Sequence, residues 1–512
     1  MAAPRNRKKQ LKLVEVSTSP HSAKVSVPYI QAIQLLESLV RKNSFVESEL
    51  VASQIIDCQP KDPAVRLLLL ESYTNSHKGD LALTLAHEIL DLYPKSALAN
   101  HELARYFINT ADTENALTHI KKALSLEPRN SFCHFFHGHI LSLMGNKSAA
   151  IEAYTAAIRF NPMNGQAHYG RARLTGAKAS AAYIDKLENL IKKTQPKNNN
   201  LCCLHYAAAL SYNDENSDRK FEHLDAANSL SAQHYPWDRK QADCRLSASR
   251  NFFQQHARYQ VRDFDNKISS PIFIASMPRS GTTLLETILS THSHNFGIGE
   301  SQALDRTIAK LRLEINLSPE FDDWSNDQFE RLLHEIYVRF TNHPMVLEAE
   351  DSRVVEKSMT NIENTPYILL AWPQAKIVHL KRHPLDVILS CYETHFEGTA
   401  GHLCGLENLA HWYSMQNRQI EYWKLLFPER IHSVDYESLV NDNEGTVRAL
   451  LDFCNLPWEF ACLTHNKTVG PDPILNASSM QVREPIHTKS VQRWERYRKH
   501  MKPAADILKI DI

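Results

Sequence analysis

Apolar and small residues in the first half of the chain recur in phase over a long period. Proline stands at Pro60, Pro94, Pro128 and Pro162, at intervals of 34 residues. Ala82, Ala116 and Ala150 precede the last three of these by one constant spacing, and Ala123 and Ala157 precede the last two by another. Leu69 with Leu103, Ala104 with Gly138, and Tyr73 with Phe107 share further phases. A period of 34 is that of a helix–turn–helix unit. Small residues at fixed phase let paired helices approach closely, and large ones fill the groove between them. Proline ends the second helix because it cannot continue the hydrogen-bond ladder. The pattern predicts an α-helical solenoid over residues 26–250, with Ile30–Ile56 and Cys202–Ser229 as degenerate pairs at its ends.

Near residue 265 the periodicity changes. Ile272–Ala275, Lys376–Leu380 and Ile431–Val434 are short apolar runs of the kind that form buried strands. They predict an α/β domain with a parallel central sheet over residues 262–512, its ligand beyond the carboxyl ends of the strands. Between the first run and the helical pattern Leu284–Leu289 lies Ser276-Met277-Pro278-Arg279-Ser280-Gly281-Thr282-Thr283. A strand, a tight loop and a helix N-terminus make an anion site, because backbone N–H groups point at the ligand and the helix dipole favours negative charge. Hydroxyls of Ser280, Thr282 and Thr283 add donors. A Walker A loop would need Lys after its last glycine. Here Thr282 follows Gly281 and the cation, Arg279, precedes it, so the loop is P-loop-like but disfavours magnesium-assisted nucleotide hydrolysis.

Composition narrows the class. Lys+Arg and Asp+Glu are both 58, so the net charge is zero and bulk charge does not drive nucleic-acid binding. Hydrophobic residues at 43% exclude wholesale disorder. No apolar run approaches the length of a membrane span. Arg5, Arg7, Lys8 and Lys9 are followed by no apolar stretch, so residues 1–25 read as a disordered, solvated tail rather than a secretory signal. The nine cysteines form no CxxC pair, which suits a reducing compartment, and a cytoplasmic location is expected. His134, His137 and His139 read as helix-lining histidines, and no metal is expected.

The PRSGTT loop resembles the 5′-phosphosulfate loop of sulfotransferases that use 3′-phosphoadenosine 5′-phosphosulfate (PAPS), particularly the tyrosylprotein sulfotransferases. Lys381-Arg382-His383-Pro384-Leu385-Asp386, followed by Ser390, is similar to the family's 3′-phosphate loop. That implies Arg382 and Ser390 on the 3′-phosphate, with Pro278, Arg279, Ser280, Gly281, Thr282 and Thr283 on the phosphosulfate. Phe296–Ser301 resembles the segment that carries the proposed general base, which falls on Glu300. Glu356-Lys357-Ser358 resembles the segment of the catalytic lysine, which falls on Lys357. Val434–Leu439 resembles the strand whose tyrosine helps hold the nucleotide, here Tyr436. The C-terminal segment resembles the one whose serine lies near the transferring group and whose basic residue contacts the nucleotide, here Ser478 and Arg493. Arg279, Glu300, Lys357 and Ser478 are the implied catalytic set.

With its 34-residue repeat, the chain resembles tetratricopeptide-repeat (TPR) sulfotransferases. The resemblance implies a TPR solenoid followed by an α/β sulfotransferase domain with PAPS as donor. The acceptor hydroxyl would lie on a protein or peptide, possibly a tyrosine, recruited by the repeat groove. A glycan or small hydroxylated metabolite is the alternative acceptor, and a non-catalytic nucleotide-binding scaffold is the alternative of another class. The segments 461–473 and 476–486 read as a loop closing over the nucleotide, Glu397–Gly405 as a rim of the acceptor cleft, and Cys391 as a core thiol.

Overall fold

In a computed structural model, residues 13–512 are described apart from 20–21, 43, 60–62, 76–78, 111, 196–198, 257–269, 302, 315–324, 397–400 and 465–484. The chain divides into two compact units, Met1–Ala167 and His168–Ile512.

The first unit follows the repeat. Its helices Gly79–Leu92, Thr113–Leu126 and Lys147–Phe160 begin 34 residues apart. Ala97–Asn109 and Ser131–Leu143 keep the same step. Pro94, Pro128 and Pro162 each sit in the turn after a helix, whereas Pro60 lies outside the described residues. Side-chain caps start the helices: Asp112 accepts from Asn115 N at 3.0 Å, and Asn130 accepts from Phe132 N at 3.0 Å. The in-phase alanines Ala82, Ala116, Ala150, Ala123 and Ala157 are all buried. A Cβ placed on Gly138 would meet Tyr154 at 2.8 Å, so this phase carries glycine because the paired helix presses on it. His134 bonds the Pro128 carbonyl at 2.9 Å and stacks on Phe160.

One expectation is corrected here. Residues 1–25 were expected as a tail, but Leu13–Val16 (β1) pairs antiparallel with Val25–Pro28 (β2). The alternation that places Val14 and Val16 inward buries both against the first helices.

Among the described residues of the second unit, five strands form one parallel sheet: Ile272–Ile274 (β3), Asn295–Gly297 (β4), Arg353–Glu356 (β5), Lys376–Lys381 (β6) and Ile431–Asp435 (β7), in the order β4-β5-β3-β6-β7. Ile272 is level with both Val355 and Lys376, so the loops after β3, β5 and β6 leave the same edge. Alternate residues feed two cores. Phe273 and Ile377 face the helices Asn326–Thr341, Asn361–Ala371 and Leu406–Leu426. Ile274, Val378 and Leu380 face Thr282–Ser290 and Asn443–Phe453.

The helices Asn199–Ser211 and Ser217–His234 belong to this unit, although residues 26–250 were read as one repeat domain. Phe221, Leu224 and Ala227 pack with Leu385, Ile388 and Leu389 of the helix Pro384–Tyr392. Asn228 Nδ2 donates to the Tyr392 carbonyl at 3.1 Å, and Tyr392 Oη donates to Asp225. Lys220 Nζ lies 2.7 Å from Glu393, whose other oxygen is paired with Arg493. These helices therefore brace the helix that follows β6.

Burial alone would raise the Glu393 carboxyl, but the charges of Arg493 and Lys220 outweigh it and hold it down at about 2. A carboxyl depressed on folding stabilises above its unfolded pKa, and that stability is lost as pH falls through the folded one. Glu393→Gln is expected to cost about 3 kcal/mol at neutral pH, because the buried Lys220 and the half-buried Arg493 lose their shared counter-charge. In thermal melts the gap to wild type should close as pH falls from about 4.5 towards about 2. A gap that is constant over that range would contradict the ion-pair account.

Candidate active site

The first half of the site is built on the loop between β3 and the helix Thr282–Ser290. Arg279 (φ 67°) and Gly281 (φ 103°) both take the left-handed conformation that bends the loop back over the strand end. At Gly281 a side chain is excluded twice over. Its φ favours glycine, and a Cβ would stand 2.6 Å from the Tyr436 ring. Tyr436 is thus the floor under the loop. Ser280 is buried, with its N–H donating to the Met277 carbonyl at 3.4 Å. Thr282 and Thr283 open the helix, whose first N–H groups have no intrahelical acceptor. Pro278 offers its carbonyl to Cys391 Sγ at 3.3 Å, and Cys391 is the core thiol that was expected.

The loop after β6 closes on the first. Arg279 Nε donates to Ser390 Oγ at 3.1 Å. Arg382 donates from Nη1 to the Arg279 carbonyl at 2.8 Å and from Nη2 to the Ser490 carbonyl at 2.6 Å. Its guanidinium lies 4.6 Å from the Tyr436 ring centre. Arg382 Nε is buried with no hydrogen-bond partner among the described residues. Burial and the neighbouring cations Arg173 and Arg382 push the Arg279 guanidinium below its ordinary value, yet an arginine remains charged at neutral pH. The convergent groups are two cations, a hydroxyl and a helix N-terminus, which is the donor set of an anion site. Asp386 closes the constellation from outside by accepting Gln492 N at 2.8 Å and Trp494 N at 3.0 Å.

The second half sits at the ends of β4 and β5. Lys357 Nζ donates to Glu300 Oε1 at 2.8 Å and lies 3.7 Å from Glu286 Oε2. The Lys357 side chain is 1% exposed and that of Glu300 33%, so the carboxylate is the member of the pair that meets solvent. Burial disfavours the Lys357 ammonium, but Glu286 and Glu300 outweigh it and raise its pKa. Burial raises the Glu286 carboxyl, partly offset by Lys357 and the Gly299 N–H. Behind them Glu356 accepts from Ser358 N at 3.0 Å and from Asn361 Nδ2 at 2.7 Å, and burial pushes it up to about 7.

The structure thus brings Pro278, Arg279, Ser280, Gly281, Thr282, Thr283, Arg382, Ser390 and Tyr436 into one cluster. Glu300 and Lys357 form a second, built on the adjacent strands. Arg493 is held by Glu393, which directly follows the helix that carries Ser390. Ser478 lies outside the described residues, as do 465–484 of the expected closing loop and Glu397–Ala400 of the expected rim. Sequence reasoning passed over Glu286 and Glu393. Glu286 carried a signal: it is a lone carboxylate in the apolar run Leu284–Leu289. Among the described residues no group of His, Cys, Asp and Glu is placed to hold a metal, and no helix is long and apolar enough to cross a membrane.

Residues 271–459 match the model of the sulfotransferase family, and residues 97–130 and 133–164 match the tetratricopeptide repeat. An uncharacterized protein of Aquifex aeolicus is 30% identical over 378 residues, which are 72% of this chain and 49% of that protein. Protein-tyrosine sulfotransferase A of Caenorhabditis elegans is 24% identical over 251 residues, 47% of this chain and 65% of that protein. Protein-tyrosine sulfotransferase 1 of Danio rerio is 26% identical over 247 residues, 45% and 66% respectively. The chain spans about half to two thirds of the length of these relatives. The chain thus joins segments that match the tetratricopeptide repeat to one that matches the sulfotransferase family, and it is similar to the protein-tyrosine sulfotransferases.

Proposed function

We propose that this chain transfers the sulfuryl group of PAPS to an acceptor hydroxyl, and that the acceptor is a tyrosine of a peptide or protein recruited by the repeats. The observation that carries the reading is the closure of the β3 loop on the β6 loop through Arg279, Ser390 and Arg382, beside a proton-accepting carboxylate bound to a buried lysine. The donor set fits a nucleotide carrying two anionic groups. Its members are cations, hydroxyls and N–H groups, and the buried Arg382 Nε lacks an acceptor among the described residues.

PAPS, when bound, supplies an activated sulfuryl group on a nucleotide leaving group. The loop Pro278–Thr283 would hold the phosphosulfate, and Arg382 with Ser390 the 3′-phosphate, over Tyr436. Glu300 takes the proton of the acceptor hydroxyl, because it is the exposed carboxylate of its pair. Lys357 and Arg279 stabilise the charge that moves from the acceptor towards the leaving oxygen, as preorganised donors do in other transfer reactions. The names of the relatives support tyrosine as the acceptor, and the repeats support a peptide partner, since such arrays present extended binding surfaces.

Two predictions follow from the assigned roles. Arg279→Ala and Lys357→Ala should each lower transfer from sulfur-radiolabelled PAPS to a tyrosine peptide by about two to three decades. Wild-type turnover in both would refute the electrostatic role. Glu300→Ala should abolish transfer while calorimetry shows unchanged affinity for 3′-phosphoadenosine 5′-phosphate (PAP). Full activity in that variant would exclude Glu300 as the base. Wild type that labels phenols or glycans but no peptide would move the acceptor to a small molecule or glycan.

A further inference from the structure

Glu286 belongs to none of the motifs, yet three elements of the site meet on it. It sits on the helix Thr282–Ser290, the same helix whose N-terminus faces the PRSGTT loop. Its Oε1 accepts from Gly299 N at 2.7 Å, and its Oε2 lies 3.7 Å from Lys357 Nζ. Gly299 is the residue before Glu300 and takes the left-handed conformation at φ 63°. Its carbonyl accepts from Lys357 N at 3.1 Å. One carboxylate therefore fixes both the backbone that carries Glu300 and the ammonium that Glu300 contacts. Space for it depends on a neighbour. A Cβ on Gly297 would stand 2.3 Å from Ser290 Oγ and 3.3 Å from Glu286 Oε1.

We propose that Glu286 is a positioning residue, which holds Lys357 and the Gly299–Glu300 backbone so that Glu300 is the carboxylate presented to the acceptor. Exposure separates the two acids: the Glu286 side chain is 11% exposed and that of Glu300 33%. Lys357 is faced by Glu286 from the helix, by Glu300 from the segment after β4, and by Glu356 from β5 itself. Glu286 shares the lysine's charge. Without the Glu286 charge, the ammonium is left with one counter-ion fewer and its contact with Glu300 is no longer shared. This role rests on the sulfuryl-transfer reading, but the contacts can be tested apart from it.

The test uses the full chain with lysine labelled with carbon-13 at Cε, the Lys357 signal being assigned by its loss in Lys357→Met. In Glu286→Gln, which still can accept from Gly299 N, the Lys357 titration midpoint should fall by about one pH unit. Transfer to the tyrosine peptide should fall by up to about a hundredfold in kcat, as for a small misplacement of reacting groups. Affinity for PAP and KM for PAPS should stay within about twofold, because Glu286 touches neither. Glu286→Asp keeps the charge but withdraws it by one methylene. It should shift the midpoint less and in the same direction, and it serves if the glutamine variant does not fold. A purely structural role would lower the melting temperature without moving the Lys357 midpoint, and would overturn the proposal. So would an unmoved midpoint with wild-type kcat. Failure of wild type to bind PAP would instead defeat the donor assignment, and the Lys357 titration would still decide the role of Glu286.

Discussion

The donor site depends on one half-buried guanidinium. Arg382 stands after β6 and holds the carbonyl of Arg279 after β3, the carbonyl of Ser490 near the C-terminus, and the ring of Tyr436 after β7. Three neighbouring strand ends and a distant segment are thereby tied by a single side chain. Burying a cation is costly unless its hydrogens are bonded. Here two nitrogens donate to carbonyls, which are dipoles rather than charges, and Nε has no acceptor among the described residues. Among the described residues no carboxylate pairs with Arg382. A phosphate would supply both the missing acceptor and the missing charge.

The same economy governs the helices before the sheet. Read as repeats, Asn199–Ser211 and Ser217–His234 would serve only recruitment. Placed in the unit of the sheet, they hold the helix that carries Ser390. Lys220 reaches Glu393 one turn beyond Ser390, and Asn228 and Asp225 reach Tyr392 between them. Geometry at Ser390, and through it at Arg279, is thus secured from residues more than 150 positions earlier in the chain.

Much of this was legible in the sequence, for physical reasons. The 34-residue phase located the repeat helices because small residues are obligatory wherever helices touch, as Ala116 and Gly138 are. Three apolar runs gave β3, β6 and β7. The strands β4 and β5 were missed as strands, because Asn295–Gly297 is only three residues long and Arg353–Glu356 carries a charge at each end. Their residues entered only through the motifs that follow them. The loop PRSGTT was readable because its conformation needs glycine at one position. Partnerships were not readable. That Arg493 faces Glu393, that Glu286 stands behind Lys357, and that Leu13–Val16 pairs with Val25–Pro28 all depend on contacts between separated positions.

The central claim is that the paired loops bind a nucleotide with a 3′-phosphate. Calorimetric titration of the full chain with PAP and, separately, with 5′-AMP tests it most directly, since the two ligands differ by that one phosphate. The account predicts tight binding of PAP, a large preference over 5′-AMP, and loss of that preference in Arg382→Ala. Equal affinity for the two nucleotides in wild type, or no binding of either, would contradict it.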